Sequence, residues 1–360
     1  MLQQRIQRAI DRMVESGAET GVQVSVYRHG EPVADAVAGA ADSETGRPVT
    51  PGTPFYSAST GKGVTATVVH VLAERGALTY DTPIAELWPE FAAHGKERAT
   101  VRHALTHTVG VPGLPSGVTP EDLCDWDGMC ARIADSEPWW EPGTRTAYHA
   151  HTFGYIVGEI VRRATGTPIS RVLREEVAGP LGVADELYFG VPQGELGRLA
   201  RLETPADVAG AAAAMAGMFA KVAPPEVLPS AEYANRPDIL MADIPAGGVM
   251  SARAVARMYA ALLDEVDGVR LVSPGRFREL SGAAFEGTDE VMGSPATWAL
   301  GYALAPLGPD RPRVFGMPGV GGSGAYADPE TGTVFAITKN RFNPMEASAL
   351  EEIAAIVAES

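Results

Sequence analysis

The sequence predicts an α+β fold in which one antiparallel sheet is assembled from both ends of the chain and a mainly helical segment is inserted between them. Three observations carry this. Near the start, Val22, Val24 and Val26 alternate with Gln23, Ser25 and Tyr27, the period-2 pattern of a half-buried strand. Near the end, four short segments have strand character: Trp298 to Ala303, Arg313 to Met317, Gly322 to Ala327 and Thr333 to Lys339. Between them, residues 77 to 240 are helical patterns punctuated by Pro and Gly. The expected division is a discontinuous sheet domain of residues 1–75 and 241–360 and a helical domain of residues 76–240. A site is expected in the cleft between them.

The elements follow in order. Leu2, Ile6, Ile10 and Met13 share one helical face, with Gln3, Gln4, Gln7 and Asp11 elsewhere, so the chain opens on an amphipathic helix. A turn at Arg28 to Glu31 joins the first strand to Val33–Val37 as a hairpin. Pro51 to Pro54 reads as loop. Thr60 to Glu74 is helical and Gly76 is its stop signal. Val208 to Ala220, Ala-rich and interrupted by glycines, suits a buried or half-buried helix. Asp328-Pro329-Glu330-Thr331-Gly332 is a turn between the last two strands, and Ala347 to Ala358 closes the chain as an amphipathic helix.

Composition narrows the function. Lys and Arg number 29 against 45 Asp and Glu, a formal charge of −16, which repels phosphate backbones and anionic membranes. Nucleic acid and membrane are therefore not the expected partners. No apolar run approaches the ~20 residues of a membrane span, and Met1 to Ser16 has no basic start followed by a long apolar run, so it is expected to be an amphipathic helix and not a signal peptide. A cytoplasmic location is expected. Two cysteines, Cys124 and Cys130, cannot build a disulfide scaffold or a four-cysteine zinc site.

The chemistry gathers at Ser59-Thr60-Gly61-Lys62, at the start of the helix after the Pro-rich loop. Residues three apart share a helix face, so the Ser59 hydroxyl and the Lys62 amine can meet. A serine alcohol is a poor nucleophile until a neighbour takes its proton. A lysine can take it once burial or a helix N-terminus lowers its pKa. The N–H groups at the helix start, that of Ser59 included, can stabilise a developing oxyanion.

The surrounding segments carry a resemblance. Phe55 to Lys62, Gly76 to Ile84, Leu105 to Pro112, Glu141-Pro142-Gly143 with Tyr148-His149-Ala150, Gly179 to Gly182, Ala246 to Ser251 and Gly319 to Ser323 follow one another in family order. Over residues 20 to 340 the chain resembles the serine β-lactamase superfamily, which holds class C β-lactamases, DD-peptidases and family VIII carboxylesterases. The resemblance implies a β-lactamase/transpeptidase-like fold and an acyl-enzyme mechanism without cofactor or metal. Ser59 would be acylated, Lys62 would help deprotonate it, and Tyr148 would relay protons to and from the leaving group. An adjacent ammonium is expected to lower the phenol's pKa. The N–H groups of Ser59 and Val320 would form the oxyanion hole. Met317, Gly319, Trp140 and His149 are the expected substrate-binding residues.

Two departures point to the substrate. The tyrosine motif of β-lactamases is Tyr-x-Asn, and here the third position is Ala150. The strand triplet begins with Lys, or in many relatives His, and here it is Met317-Pro318-Gly319. A thioether replaces the cation that would hold a carboxylate. Both changes favour a neutral ester, a small-molecule acyl donor, over a β-lactam or a peptide C-terminus. The expected function is carboxylesterase; a biosynthetic transacylase, a weak β-lactamase and a non-catalytic binding protein are the alternatives. His149-Ala150-His151 has a metal-site spacing but nothing to complete it, His107 suits a structural role, and His70 a satisfied core position. No Gly-x-Ser-x-Gly elbow occurs. The acceptor of the acyl group and the oligomeric state are not legible.

Overall fold

The computed structural model describes residues 1–306 and 313–360. Twelve strands are found among the described residues: Gly21–Arg28 (β1), Glu31–Asp42 (β2), Arg47–Pro48 (β3), Phe55–Tyr56 (β4), Leu187–Tyr188 (β5), Val249–Met250 (β6), Phe285–Thr288 (β7), Pro295–Trp298 (β8), Ala303–Pro306 (β9), Arg313–Pro318 (β10), Gly324–Asp328 (β11) and Thr333–Lys339 (β12). Nine form one antiparallel sheet in the order β3-β2-β1-β12-β11-β10-β9-β8-β7; β4, β6 and β5 form a second, small sheet.

The hairpin of β1 and β2 turns at His29-Gly30, both at positive φ (49° and 80°). That pair of left-handed residues is what a two-residue turn between right-twisted strands requires. β1 then pairs antiparallel with β12, Val22 opposite Lys339 and Arg28 opposite Thr333, which joins the two ends of the chain.

Alternation along these strands sorts side chains onto two faces. Val22, Val24 and Val26 pack with Phe335 and Ile337 against the helices Leu2–Glu15 and Ser348–Ala358. Tyr27, Val334 and Ala336 face the other way, toward the helices Ala252–Leu263 and Thr60–Glu74. Gln23 lies on that second face and its amide is fully used. Nε2 donates to the Thr50 and Thr53 carbonyls at 2.6 and 3.0 Å, and Oε1 accepts from Ala252 N–H and Thr338 Oγ1 at 2.9 Å each. The loop before β4 is thereby fixed to the sheet.

The core on the second face runs without a break through the helix Thr60–Glu74 into Phe153–Val161 of the helix Thr152–Thr165. Every residue from Thr60 to Ala73 is buried. All strands of the large sheet come from the outer segments of the chain, and β5 is the one named strand among the described residues 76–240, which otherwise form helices joined by loops. We propose lobes bounded as the sequence suggests, packed on this shared core.

The structure corrects three element expectations. Trp298 to Ala303 is not one strand: it joins β8 to β9 through a turn at 299–302, and a further strand, β7, precedes it. The segment Val208–Ala220 is a helix over Ala209–Phe219, but only Met215 is buried, so most of this apolar helix faces outward. The last helix begins at Ser348. Among the described residues no helix is long and apolar enough to cross a membrane.

Candidate active site

Three segments distant in sequence meet at the head of the helix Thr60–Glu74. The first is the turn leading into it. Ser57 N–H is tied to the Gly248 carbonyl at 2.8 Å, which anchors the turn to β6. Ala58 then takes a left-handed conformation (φ 43°), unfavourable for a residue with a Cβ. Ser59 follows as the helix N-cap, with Thr60 N–H returning to the Ser57 carbonyl and Lys62 N–H to the Ser59 carbonyl. The turn closes on Gly247: a Cβ built on Gly61 would overlap the Gly247 carbonyl, so only glycine fits at that helical position.

One helical turn along, Lys62 is fully buried. Its Nζ donates to Ser59 Oγ at 3.1 Å and to the Ala246 carbonyl at 2.7 Å. No carboxylate lies in this pair of contacts. Burial therefore dominates, and it pushes the ammonium pKa down to about 7.

The second segment brings Tyr148. Its phenol lines the same cavity as Ser59, and Lys62 Nζ lies 4.9 Å from its ring centroid. Contrary to expectation, the phenol pKa is raised: burial outweighs the opposing influence of the Ser59 hydroxyl. The amine that was to stabilise a phenolate is itself buried and readily neutral. The hydroxyl thus keeps its proton. The ring stacks on Trp298 (centroids 6.1 Å apart, planes at 10°) and packs against His107 at 5.0 Å.

The third segment is the end of β10. A Cβ on Gly319 would overlap the Ser57 carbonyl and lie 2.7 Å from Thr60 Oγ1, so the strand presses directly on the nucleophile turn. Val320 follows. Within the described residues neither the Ser59 nor the Val320 N–H has a protein acceptor, and both residues line the same cavity.

That cavity has a volume of about 540 Å³. Ser59, Tyr148, Ala150 and Gly319 line it, and Met215, Met218, Met292, Met317 and Met345 supply much of the remaining wall. Among the described residues that line it there is neither Lys nor Arg, and the acidic ones are Asp289 and Glu346. Among the described residues no three His, Cys, Asp or Glu side chains stand close enough to share a metal ion.

Two expected substrate contacts are placed elsewhere. Trp140 is buried outside the cavity lining, its indole N–H donating to the Thr108 carbonyl at 3.1 Å. His149 is buried too: Nε2 accepts from Val111 N–H at 3.1 Å and Nδ1 lies 2.6 Å from the Ala147 carbonyl. Both brace the loop that carries Tyr148. The next histidine, His151, lines the cavity instead, and burial lowers its pKa to about 3, so it is neutral there. His107, at positive φ (57°), accepts the His149 N–H on Nδ1 at 3.1 Å and packs on Tyr148, Phe153 and Trp298. It is a hub for the site rather than a solvent-facing base. His70 is a core residue, bonded to Tyr80 Oη at 2.8 Å and the Leu300 carbonyl at 2.9 Å.

A family of serine enzymes is now defined by fold and site together. The chain belongs to the Beta-lactamase family, whose model matches residues 6–359, and the fold is β-lactamase/transpeptidase-like. It is 36% identical over 353 residues to the esterase/beta-lactamase LipL of Mycobacterium tuberculosis (strain ATCC 25618 / H37Rv), across 93% of this chain and 80% of that protein. The structure of a family VIII carboxylesterase superposes with a TM-score of 0.87 at 33% identity, covering 98% of this chain and 97% of its own. A penicillin-binding protein homologue from Caulobacter crescentus gives a TM-score of 0.86 at 31% identity, covering 99% and 97%.

Proposed function

We propose that this protein is a serine carboxylesterase that hydrolyses neutral esters through an acyl-enzyme on Ser59. The observation that carries it is a buried amine of pKa about 7 at 3.1 Å from the Ser59 hydroxyl. Near neutral pH a large fraction of Lys62 is unprotonated, so its lone pair can accept the serine proton as Oγ bonds to the ester carbonyl carbon. The tetrahedral oxyanion accepts hydrogen bonds from the N–H groups of Ser59 and Val320. The carbon–oxygen bond to the alcohol then breaks. The departing alkoxide takes the Tyr148 proton, and the Lys62 ammonium returns one to the resulting phenolate. Water repeats the sequence on the acyl-enzyme, releasing the acid and restoring Ser59.

Neutrality of the substrate follows from the lining. A β-lactam or peptide carboxylate would meet Met317 and the acidic Asp289 and Glu346, with no cation among the described lining residues to hold it. The methionine-rich wall accommodates varied apolar acyl or alcohol groups, because an unbranched thioether repacks easily. Similarity to an esterase/beta-lactamase and to a family VIII carboxylesterase supports the same activity. Transfer of the acyl group to an alcohol or amine is the second reaction this intermediate permits. Location in the cytoplasm belongs to the proposal and is checked by cell fractionation.

Turnover of a chromogenic short-chain ester by wild type and Ser59→Ala, with and without added alcohol, tests the proposal. Wild type is expected to release acid at a rate that depends on Ser59. Equal turnover by the two proteins would exclude Ser59 as nucleophile. Transester product in place of acid would make the protein a transacylase.

A further inference from the structure

We infer that Asp289 is a positioning residue for Tyr148: one side-chain oxygen closes the β7–β8 turn and the other fixes the backbone that carries the phenol. This rests on the role given to Tyr148 above. Tyr148 lies in a non-helical stretch, residues 144–150, outside every named strand. Its N–H donates to Asp289 Oδ2 at 2.7 Å, joining residues 141 positions apart. Asp289 Oδ1 accepts the N–H groups of Val291 and Met292 at 2.8 Å each. Its own N–H donates to the Ser294 carbonyl at 2.9 Å, so the turn and the side chain hold each other.

The same hairpin grips this stretch at two more points. Glu290 N–H donates to the Thr146 carbonyl at 2.9 Å, and Trp298 Nε1–H donates to Thr146 Oγ1 at 3.0 Å. Trp298 also stacks on the Tyr148 ring. Asp289 is 3% exposed and lines the cavity. Its oxygens are engaged by three backbone N–H groups, which suits a buried support rather than a substrate ligand. Displacement of a reacting group by about 1 Å can cost on the order of 10²-fold in rate. A hydrogen bond to the phenol's own backbone unit is well placed to prevent that.

Asp289→Asn tests this. An amide has one oxygen, so either the Tyr148 N–H or the turn N–H pair would face an NH₂ group. The expected loss is about 10- to 100-fold in kcat on an alkyl ester, with KM little changed. In the pre-steady-state burst of a nitrophenyl ester, which reports acylation alone, the loss should be much smaller, because that leaving group departs without a proton from Tyr148. In a Tyr148→Phe background Asp289→Asn should cause almost no further loss, since two residues acting through one group are not additive. Equal losses on both esters, or the same loss in both backgrounds, would make Asp289 a general structural residue and overturn the inference. Trp298→Phe, which keeps an aromatic ring but removes the N–H to Thr146, provides the same cycle if Asp289→Asn fails to fold. Turnover that survives Ser59→Ala would instead remove the proposed function itself, so the two failures are distinguishable.

Discussion

Lys62→Met is expected to lower kcat/KM on a neutral ester by about 10²- to 10⁴-fold, the range of a positioned general base. Methionine fills similar space on the buried face but has no lone pair basic enough to take the Ser59 proton. The pH profile is the sharper readout. Wild-type activity should rise as Lys62 loses its proton and level off above about 7, where burial has set its pKa. The variant's residual activity should lack that step. Stability supplies an independent check, and its sign is fixed. The folded-state pKa lies below the unfolded value of 10.5. Between about 7 and 10.5 the unfolded chain therefore holds a proton that the folded chain does not, and wild-type stability rises with pH through that window. The Met variant lacks this contribution. Its stability relative to wild type should be most favourable below pH 7 and decline toward 10.5. Denaturant unfolding at several pH values measures it; a pH-independent difference would mean that Lys62 is not buried as an amine.

Gly319→Ala is the second large effect. The added Cβ would overlap the Ser57 carbonyl and crowd Thr60 Oγ1, so β10 or the nucleophile turn must move. Either movement displaces the Val320 N–H relative to Ser59. Loss of one oxyanion donor costs about 10²- to 10³-fold in rate, and kcat should fall by that order. Lys62 remains beside Ser59, so the inflection near pH 7 should persist. Activity near that of wild type would remove Val320 from the oxyanion hole. Far-UV circular dichroism separates a local shift from misfolding.

The local parts of this architecture are legible in the sequence because each has a local physical cause. Alternation in Val22–Tyr27, the Arg28–Glu31 turn and the three-residue spacing of Ser59 and Lys62 depend on neighbours along the chain. The meeting of Ser59 with Tyr148 depends on tertiary packing, and only the resemblance suggested it. Asp289 and Trp298 carried no signal of their own: a single aspartate in a short hairpin looks like any turn residue. Trp140 and His149 were drawn to the substrate by their closeness in sequence to Tyr148. In this non-helical stretch successive side chains diverge, so Tyr148, Ala150 and His151 reach the cavity while His149 packs behind it. The direction of the phenol's pKa failed for a related reason. An ammonium neighbour was assumed, but burial acts on both groups, weakening the ammonium and holding the proton on the phenol.

The most direct measurement is intact-protein mass after rapid mixing with a neutral ester and acid quench, followed by peptide mapping. The expected result is a mass increase equal to one acyl group, located on Ser59, formed faster above pH 7 than below and absent from Ser59→Ala. An adduct on another residue, or ester turnover with the same adduct in Ser59→Ala, would contradict a nucleophile made reactive by the buried amine of Lys62.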